Sequence, residues 1–132
     1  MVIDTSALVA ILQGAPNRRS LLEAIEAADT RRMSVASFVE TSIVIEARYG
    51  AEGLRDLDRF IHLAGIELVP VDAEQGQLAR AAFSRFGKGR HPAALNFGDC
   101  FAYALAMVLG EPLLFTGEDF ARTDVRAALA AP

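Results

Sequence analysis

The chain is 132 residues long and 52 % hydrophobic, with 13 Lys and Arg against 17 Asp and Glu, for a net charge of −4. These values exclude a disordered chain and predict one domain over residues 1–132 with a core of its own. At a pI of about 5.1 no global positive field advertises nucleic acid, although acids gathered around a metal ion would be cancelled by it.

Met1–Ile3 reads as a short apolar strand and Ser6–Leu12 as a short helix ending at Gly14. Over Asn17–Ala28, Leu21, Leu22 and Ile25 recur at helical spacing, with Pro16 or Asn17 opening the helix. Met33–Ala36 is expected to be a second strand. From Ser37 to Tyr49 the apolar Phe38, Val39, Ile43 and Ala47 follow a period near 3.6, and Gly50 is expected to stop that helix. Glu52–Ala64 forms another amphipathic helix, with Leu54, Leu57, Phe60 and Ile61 inward and Arg55, Asp58 and Arg59 outward. Ile66–Val71 is a β-branched strand, after which Asp72 caps a helix through Phe86. Phe86–Leu95 is a loop rich in Gly, Lys and Arg. Asp99–Leu109 is helical and ends at Gly110, Leu113–Thr116 is the last strand, and the Ala-rich Ala127–Pro132 is expected to fray. Strands separated by helices predict right-handed crossovers and an α/β fold, a central parallel β-sheet flanked by helices on both faces.

The single cysteine, Cys100, excludes an internal disulfide. It sits on the apolar helical face of Phe101, Ala104, Leu105 and Val108 and reads as a small buried hydrophobe. Neither histidine, His62 or His91, stands in a Ser-His-Asp or Cys-His pattern, and His62 falls on a charged helix. The opening apolar run is interrupted by Asp4 and lacks a basic start, so no signal peptide is expected. No run reaches the roughly 18 apolar residues that span a bilayer, and the reading is cytoplasmic.

Four acids stand out: Asp4, Glu40, Asp99 and Asp119. Each has a local explanation. Asp4 suits the cap of the next helix, Glu40 closes a Ser37-Phe-Val-Glu40 capping box, Asp99 suits a cap for Cys100–Leu109, and Asp119 an Asx turn. Jointly they say more. In a parallel sheet the strand carboxyl ends and the following helix amino ends gather on one edge, where open α/β folds place their sites. Four acids brought together there demand a counter-charge, and their oxygen-only chemistry, without histidine or thiolate, favours magnesium or manganese over zinc. Such a site grips phosphate and hydrolyses phosphodiesters. The stretch Arg80–His91 adds Arg80, Arg85, Lys88 and Arg90 with no acid between them. Its glycines Gly87 and Gly89 are expected to let Lys88 and Arg90 reach phosphates, with Phe86 stacking on a base.

MVIDTSALVAIL, ASFVETSIVIEARYG, NFGDCFAYALA and LLFTGEDFARTDV, in this order over nearly the whole chain, resemble the PIN-domain ribonucleases of the VapC type, toxins of bacterial type II toxin–antitoxin systems. The resemblance implies a PIN-domain sheet sandwiched by helices and a magnesium-dependent endoribonuclease in which manganese substitutes for magnesium. Carried over by motif, Asp4, Glu40, Asp99 and Asp119 are its catalytic acids, with Asp4 and Asp99 the direct metal ligands and Glu118 a neighbour able to share the role of Asp119. Thr5, Ser6 and Thr116 match hydroxyl positions that orient the acids or the substrate, and with Arg85, Lys88 and Arg90 they form the expected RNA-binding set. The resemblance also implies a homodimer held inactive by a cognate VapB-type antitoxin, whose tail offers a basic side chain to the acids. The faces Leu54–Ile61 and Phe38–Ile45 are the candidate groove and dimer surfaces. Two other magnesium folds fit less well. A haloacid-dehalogenase-like phosphatase needs a second Asp where Ser6 stands, and a receiver-like domain needs a lysine after the last strand, where Gly-Glu-Asp follows Thr116. A scaffold that binds RNA without cutting is opposed by four intact acids.

Overall fold

Short apolar runs bounded by helix-starting polar residues become the four strands of one parallel sheet in a computed structural model that describes residues 1–129. The strands are β1 (Val2–Ile3), β2 (Arg32–Ser34), β3 (Glu67–Val69) and β4 (Leu113–Leu114), ordered β3-β2-β1-β4. Val2 stands opposite both Arg32 and Leu113, Ile3 opposite Leu114, and Met33 opposite Leu68. Five helices connect them: α1 (Thr5–Leu12), α2 (Arg18–Ala27), α3 (Val35–Leu63), α4 (Ala73–Phe86) and α5 (Phe97–Leu109), followed by a 3₁₀ turn at Phe120–Arg122.

Alternation along the strands divides the core in two, because successive side chains leave opposite faces of a sheet. Val2 and Leu113 join Phe86, Leu95, Tyr103 and Leu105 under α4 and α5. Ile3, Met33 and Leu114 join Leu8, Ile11, Leu21, Ile25 and Leu57 under α1, α2 and α3. The predicted α/β sandwich is therefore the observed one. No helix among the described residues is long and apolar enough to cross a membrane.

Several boundaries differ from the sequence expectation, each for a physical reason. The second strand ends at Ser34, whose hydroxyl accepts the Ala36 N–H at 3.2 Å, so α3 begins at Val35 and not at Ser37. Gly50, at φ 67°, bends α3 between its two arms and does not end it. The cap of α5 is Asn96, not Asp99, and the helix opens two residues early, at Phe97. The C-terminal stretch from Ala127 is not frayed where it is described. Leu113 N–H donates to Arg126 O at 2.8 Å, Ala128 N–H donates to Leu113 O at 2.9 Å, and Leu129 packs on the core; 130–132 lie outside the described residues.

Candidate active site

The strand order changes direction between β1 and β4, and at such a switch point the outgoing chains diverge and open a crevice at the carboxyl edge of the sheet. Asp4 follows β1 directly and its N–H donates to Leu114 O at 2.9 Å. Thr116 lies two residues beyond β4, and its N–H donates to Ser6 Oγ at 3.0 Å. These two bonds stitch the start of α1 to the end of β4 across the switch.

Asp4 does cap α1: Oδ2 accepts the Ser6 N–H at 2.9 Å. That leaves Oδ1 buried and without a partner, in a residue only 2 % exposed. A buried carboxylate oxygen with no donor is costly unless the group is neutral or faces a cation. Burial pushes the Asp4 carboxyl up to about 7; the hydrogen bonds of Ser6 oppose the shift, and the charges of Asp99 and Glu40 add to it. Asp99 is the third residue of α5 and closes a capping box, with its N–H donating to Asn96 Oδ1 at 2.8 Å and its Oδ2 accepting the Asn96 N–H at 3.0 Å. Burial pushes the Asp99 carboxyl up to about 6, opposed by the Asn96 N–H and reinforced by Glu40 and Asp119. The charged neighbours acting on these two acids are thus carboxylates alone.

The capping-box explanation of Glu40 fails, because Ser34 and not Ser37 caps α3, which leaves Glu40 the sixth residue of the helix. Its carboxylate instead lies over the backbone of Gly98 in the first turn of α5. Asp119 precedes the 3₁₀ turn, is exposed and makes no side-chain cap bond, so an Asx turn does not explain it either. Its neighbour Glu118 pairs with Arg122 at 3.4 Å. The structure therefore gathers all four predicted acids at one edge, with Asp119 and not Glu118 acting on Asp99.

Every acid here is an oxygen donor, and the unpartnered Asp4 Oδ1 suits a hard divalent ion. Among the described residues no three His, Cys, Asp or Glu side chains close into a ready-made cage.

The predicted substrate residues divide. Thr5 is turned inward: its hydroxyl donates to Ser37 O at 3.0 Å and lies 3.0 Å from that of Thr41, tying α1 to α3. It is a buried tie between the two helices and not an exposed contact. Ser6 and Thr116 hold each other as described. Phe86 does not offer a face to a base, because it is 4 % exposed and packs edge-on against His91 and beside Tyr103, with Arg85 4.6 Å over its ring. Arg85 also pairs with Asp124 at 3.4 Å. The basic loop is pinned rather than loose. Lys88 N–H donates to Leu95 O and Leu95 N–H to Phe86 O, both at 2.9 Å, while a Cβ on Gly87 would collide with Phe83. Lys88 and Arg90 stay exposed; Lys88 is bonded to Leu95, the residue that precedes the Asn96 cap, and Arg90 lies 5.6 Å over the Phe83 ring. Sequence reasoning missed Arg122, which donates to Pro92 O at 3.1 Å and so links this loop to the Glu118 segment. It also missed the glycine of Asn96-Phe97-Gly98-Asp99; a small residue beside an acid at a helix start was the available signal. Cys100 is buried and its thiol is pushed up to about 11 by burial, in keeping with a packing role.

A profile of the PIN domain matches residues 1–126, and the chain belongs to the PIN-domain family. It is 54 % identical over 132 residues, 100 % of each chain, to a VapC ribonuclease of Mycobacterium bovis. To Ribonuclease VapC of Mycolicibacterium smegmatis it is 58 % identical over 127 residues, 96 % of this chain and 98 % of that one. Within the family it is of the VapC ribonuclease type, as its motifs implied. The fold is similar to that of VapC20 of Mycobacterium tuberculosis, described as a sarcin-ricin loop cleaving toxin, with a TM-score of 0.74 at 18 % identity over 95 % of this chain and 98 % of that one. It is also similar to VapBC2 of Rickettsia felis bound to a DNA fragment of its promoter, with a TM-score of 0.74 at 15 % identity over 96 % and 94 %.

Proposed function

We propose that the chain is a magnesium-dependent endoribonuclease, the toxin of a toxin–antitoxin pair, working as a single domain over residues 1–132 in the cytoplasm. The observation that carries this reading is the buried Asp4 with an unpartnered Oδ1, on which the charges of Asp99 and Glu40 act. The names of relatives such as the VapC ribonucleases of Mycobacterium bovis and Mycolicibacterium smegmatis support RNA as the substrate.

Asp4 and Asp99 would hold Mg²⁺ or Mn²⁺, which supplies Lewis-acid polarisation of a phosphodiester and a lowered pKa for an attacking water. Each of these acids keeps one oxygen for its own helix cap, so the carboxyl group is fixed before substrate arrives. Glu40 and Asp119, whose charges both act on Asp99, would serve as proton acceptors at their carboxylates. Lys88 and Arg90 grip the RNA backbone; Arg85, tied to Asp124, supplies charge at longer range. Thr116 and Ser6 keep the crevice at its width.

A gel with end-labelled RNA tests this: products in magnesium, none in excess EDTA. Binding without products in magnesium would favour the non-cutting scaffold. Replacing Lys88 and Arg90 by Gln should weaken RNA binding and reduce the slope of log affinity against log salt by about 1 for each phosphate no longer neutralised. An unchanged slope removes the loop from the interface.

The antitoxin follows from the same charge layout, since a basic side chain on its tail would meet acids that lack a counter-charge; solved neighbours include a toxin–antitoxin complex from Klebsiella pneumoniae. For the homodimer, the face Leu54–Ile61 is unsuited, because Leu57 is fully buried and Phe60 and Ile61 pack on the core. Within Phe38–Ile45, Val39 and Ile43 are exposed and join Phe97, 78 % exposed, around an apolar groove of about 400 Å³. We assign the dimer contact to that surface, and light scattering of the pure toxin reads it as twice the chain mass.

A further inference from the structure

Gly98 has an ordinary helical backbone; it is not among the glycines with positive φ, so its conformation does not call for glycine. What it lacks is room. A Cβ at this position would stand 2.7 Å from Glu40 Oε1 and 2.5 Å from Glu40 Cδ, inside the carboxylate itself. The nearest atoms are all from Glu40, the far end of a flexible side chain, and none is backbone. A methyl group there is therefore accommodated cheaply by the fold, at the cost of moving one carboxylate.

That carboxylate acts on both the buried Asp4 and the half-buried Asp99, raising the two alike. It reaches them from α3, whereas Asp4 opens α1 and Asp99 opens α5. The absence of a side chain at position 98 lets the Glu40 carboxylate occupy the space over the first turn of α5, the turn that carries Asp99.

We propose that Gly98 is a positioning residue for the nuclease reaction: it is the seat that sets the place of the Glu40 carboxylate relative to Asp4 and Asp99. This rests on the metal-dependent nuclease reading, and it makes a prediction that the reading alone does not. The Gly98→Ala protein should fold with an unchanged or slightly raised Tm, because alanine is the better helix residue. It should nonetheless lose roughly tenfold or more in RNA cleavage, as misplacement of a catalytic group by about 1 Å does. Its manganese affinity, measured on the free ion by electron paramagnetic resonance without RNA, should fall as well.

The decisive measurement is a double-mutant cycle with Glu40→Asp, whose carboxylate is one methylene shorter and clears a Cβ at 98. Glu40→Asp alone should also cleave poorly, because its carboxylate no longer reaches its seat. In the Gly98→Ala/Glu40→Asp protein the two losses should not multiply, and cleavage should recover severalfold above Gly98→Ala. Gly76→Ala, in α4 with open space around its Cβ, is the control and should cleave as wild type does. Wild-type cleavage with Gly98→Ala within twofold of it overturns the proposal while leaving the nuclease intact. Strictly multiplicative losses in the cycle overturn it too. A wild-type protein that fails to cleave RNA in magnesium speaks against the nuclease reading, and the manganese measurement then tests the seat on its own.

Discussion

Asp4→Asn should abolish RNA cleavage, by roughly 10³-fold or more, and in the same protein raise the stability of the metal-free fold. Both effects come from one residue doing two jobs. Asn caps a helix as well as Asp does, so the bond from Ser6 N–H to the side chain at 2.9 Å survives. What disappears is a buried charge among other carboxylates. With the carboxyl raised from 3.8 to about 7, relief of that charge is worth about 4 kcal/mol at pH 8, or on the order of 15 °C in Tm for a domain of this size. Thermal melts in EDTA and a cleavage gel together check the result. Full activity would exclude Asp4 from the site, and a lower Tm would mean that its ionised form stabilises the fold.

The same residue fixes how stability depends on pH. The Asp4 carboxyl stands at about 7 in the folded chain against 3.8 ordinarily, and that of Asp99 at about 6. Between pH 4 and 7 the folded chain thus holds more protons than the unfolded one, and stability in EDTA falls as pH rises through that window. This contribution is complete below about pH 4 and gone above about pH 7. A divalent ion binds the ionised acids, so magnesium should raise Tm by several degrees at pH 8 and much less at pH 5.5. Subtracting the Asp4→Asn curve isolates the effect from ordinary surface titration. A magnesium shift equal at both pH values, or a metal-free Tm that climbs from pH 5 to 7.5, would contradict it.

Much of this arrangement was legible because its signals are local. Asp4 after Met1–Ile3 and Asp72 before its helix needed only strand length and cap chemistry. The four acids could be placed on one edge because parallel topology leaves little choice. Misreadings arose where two residues carried the same local signal. Ser34 and Ser37 are both good caps, and only the register of β2 against β3 selects Ser34. Asn96 and Asp99 compete for one helix start, and the answer is a reciprocal box that uses both. The fate of Phe86 was invisible for another reason. Its burial is decided by Tyr103 on the neighbouring helix and by the closure of Gly87 onto Leu95, contacts between segments that no window of sequence contains. The pairing of Ala127 with Leu113 is hidden in the same way.

The bond between Ser6 and Thr116 spans 110 residues, and β4 enters the sheet beside β1, the first strand made. Assembly of the crevice therefore waits on the late part of the chain, since Asp119 and the edge of β4 have no earlier substitute. During synthesis Asp4 and Glu40 emerge long before the helix that carries Asp99, and the long-range pairing that unites them closes last. A ribosome making this protein carries no finished acidic crevice until that strand is released.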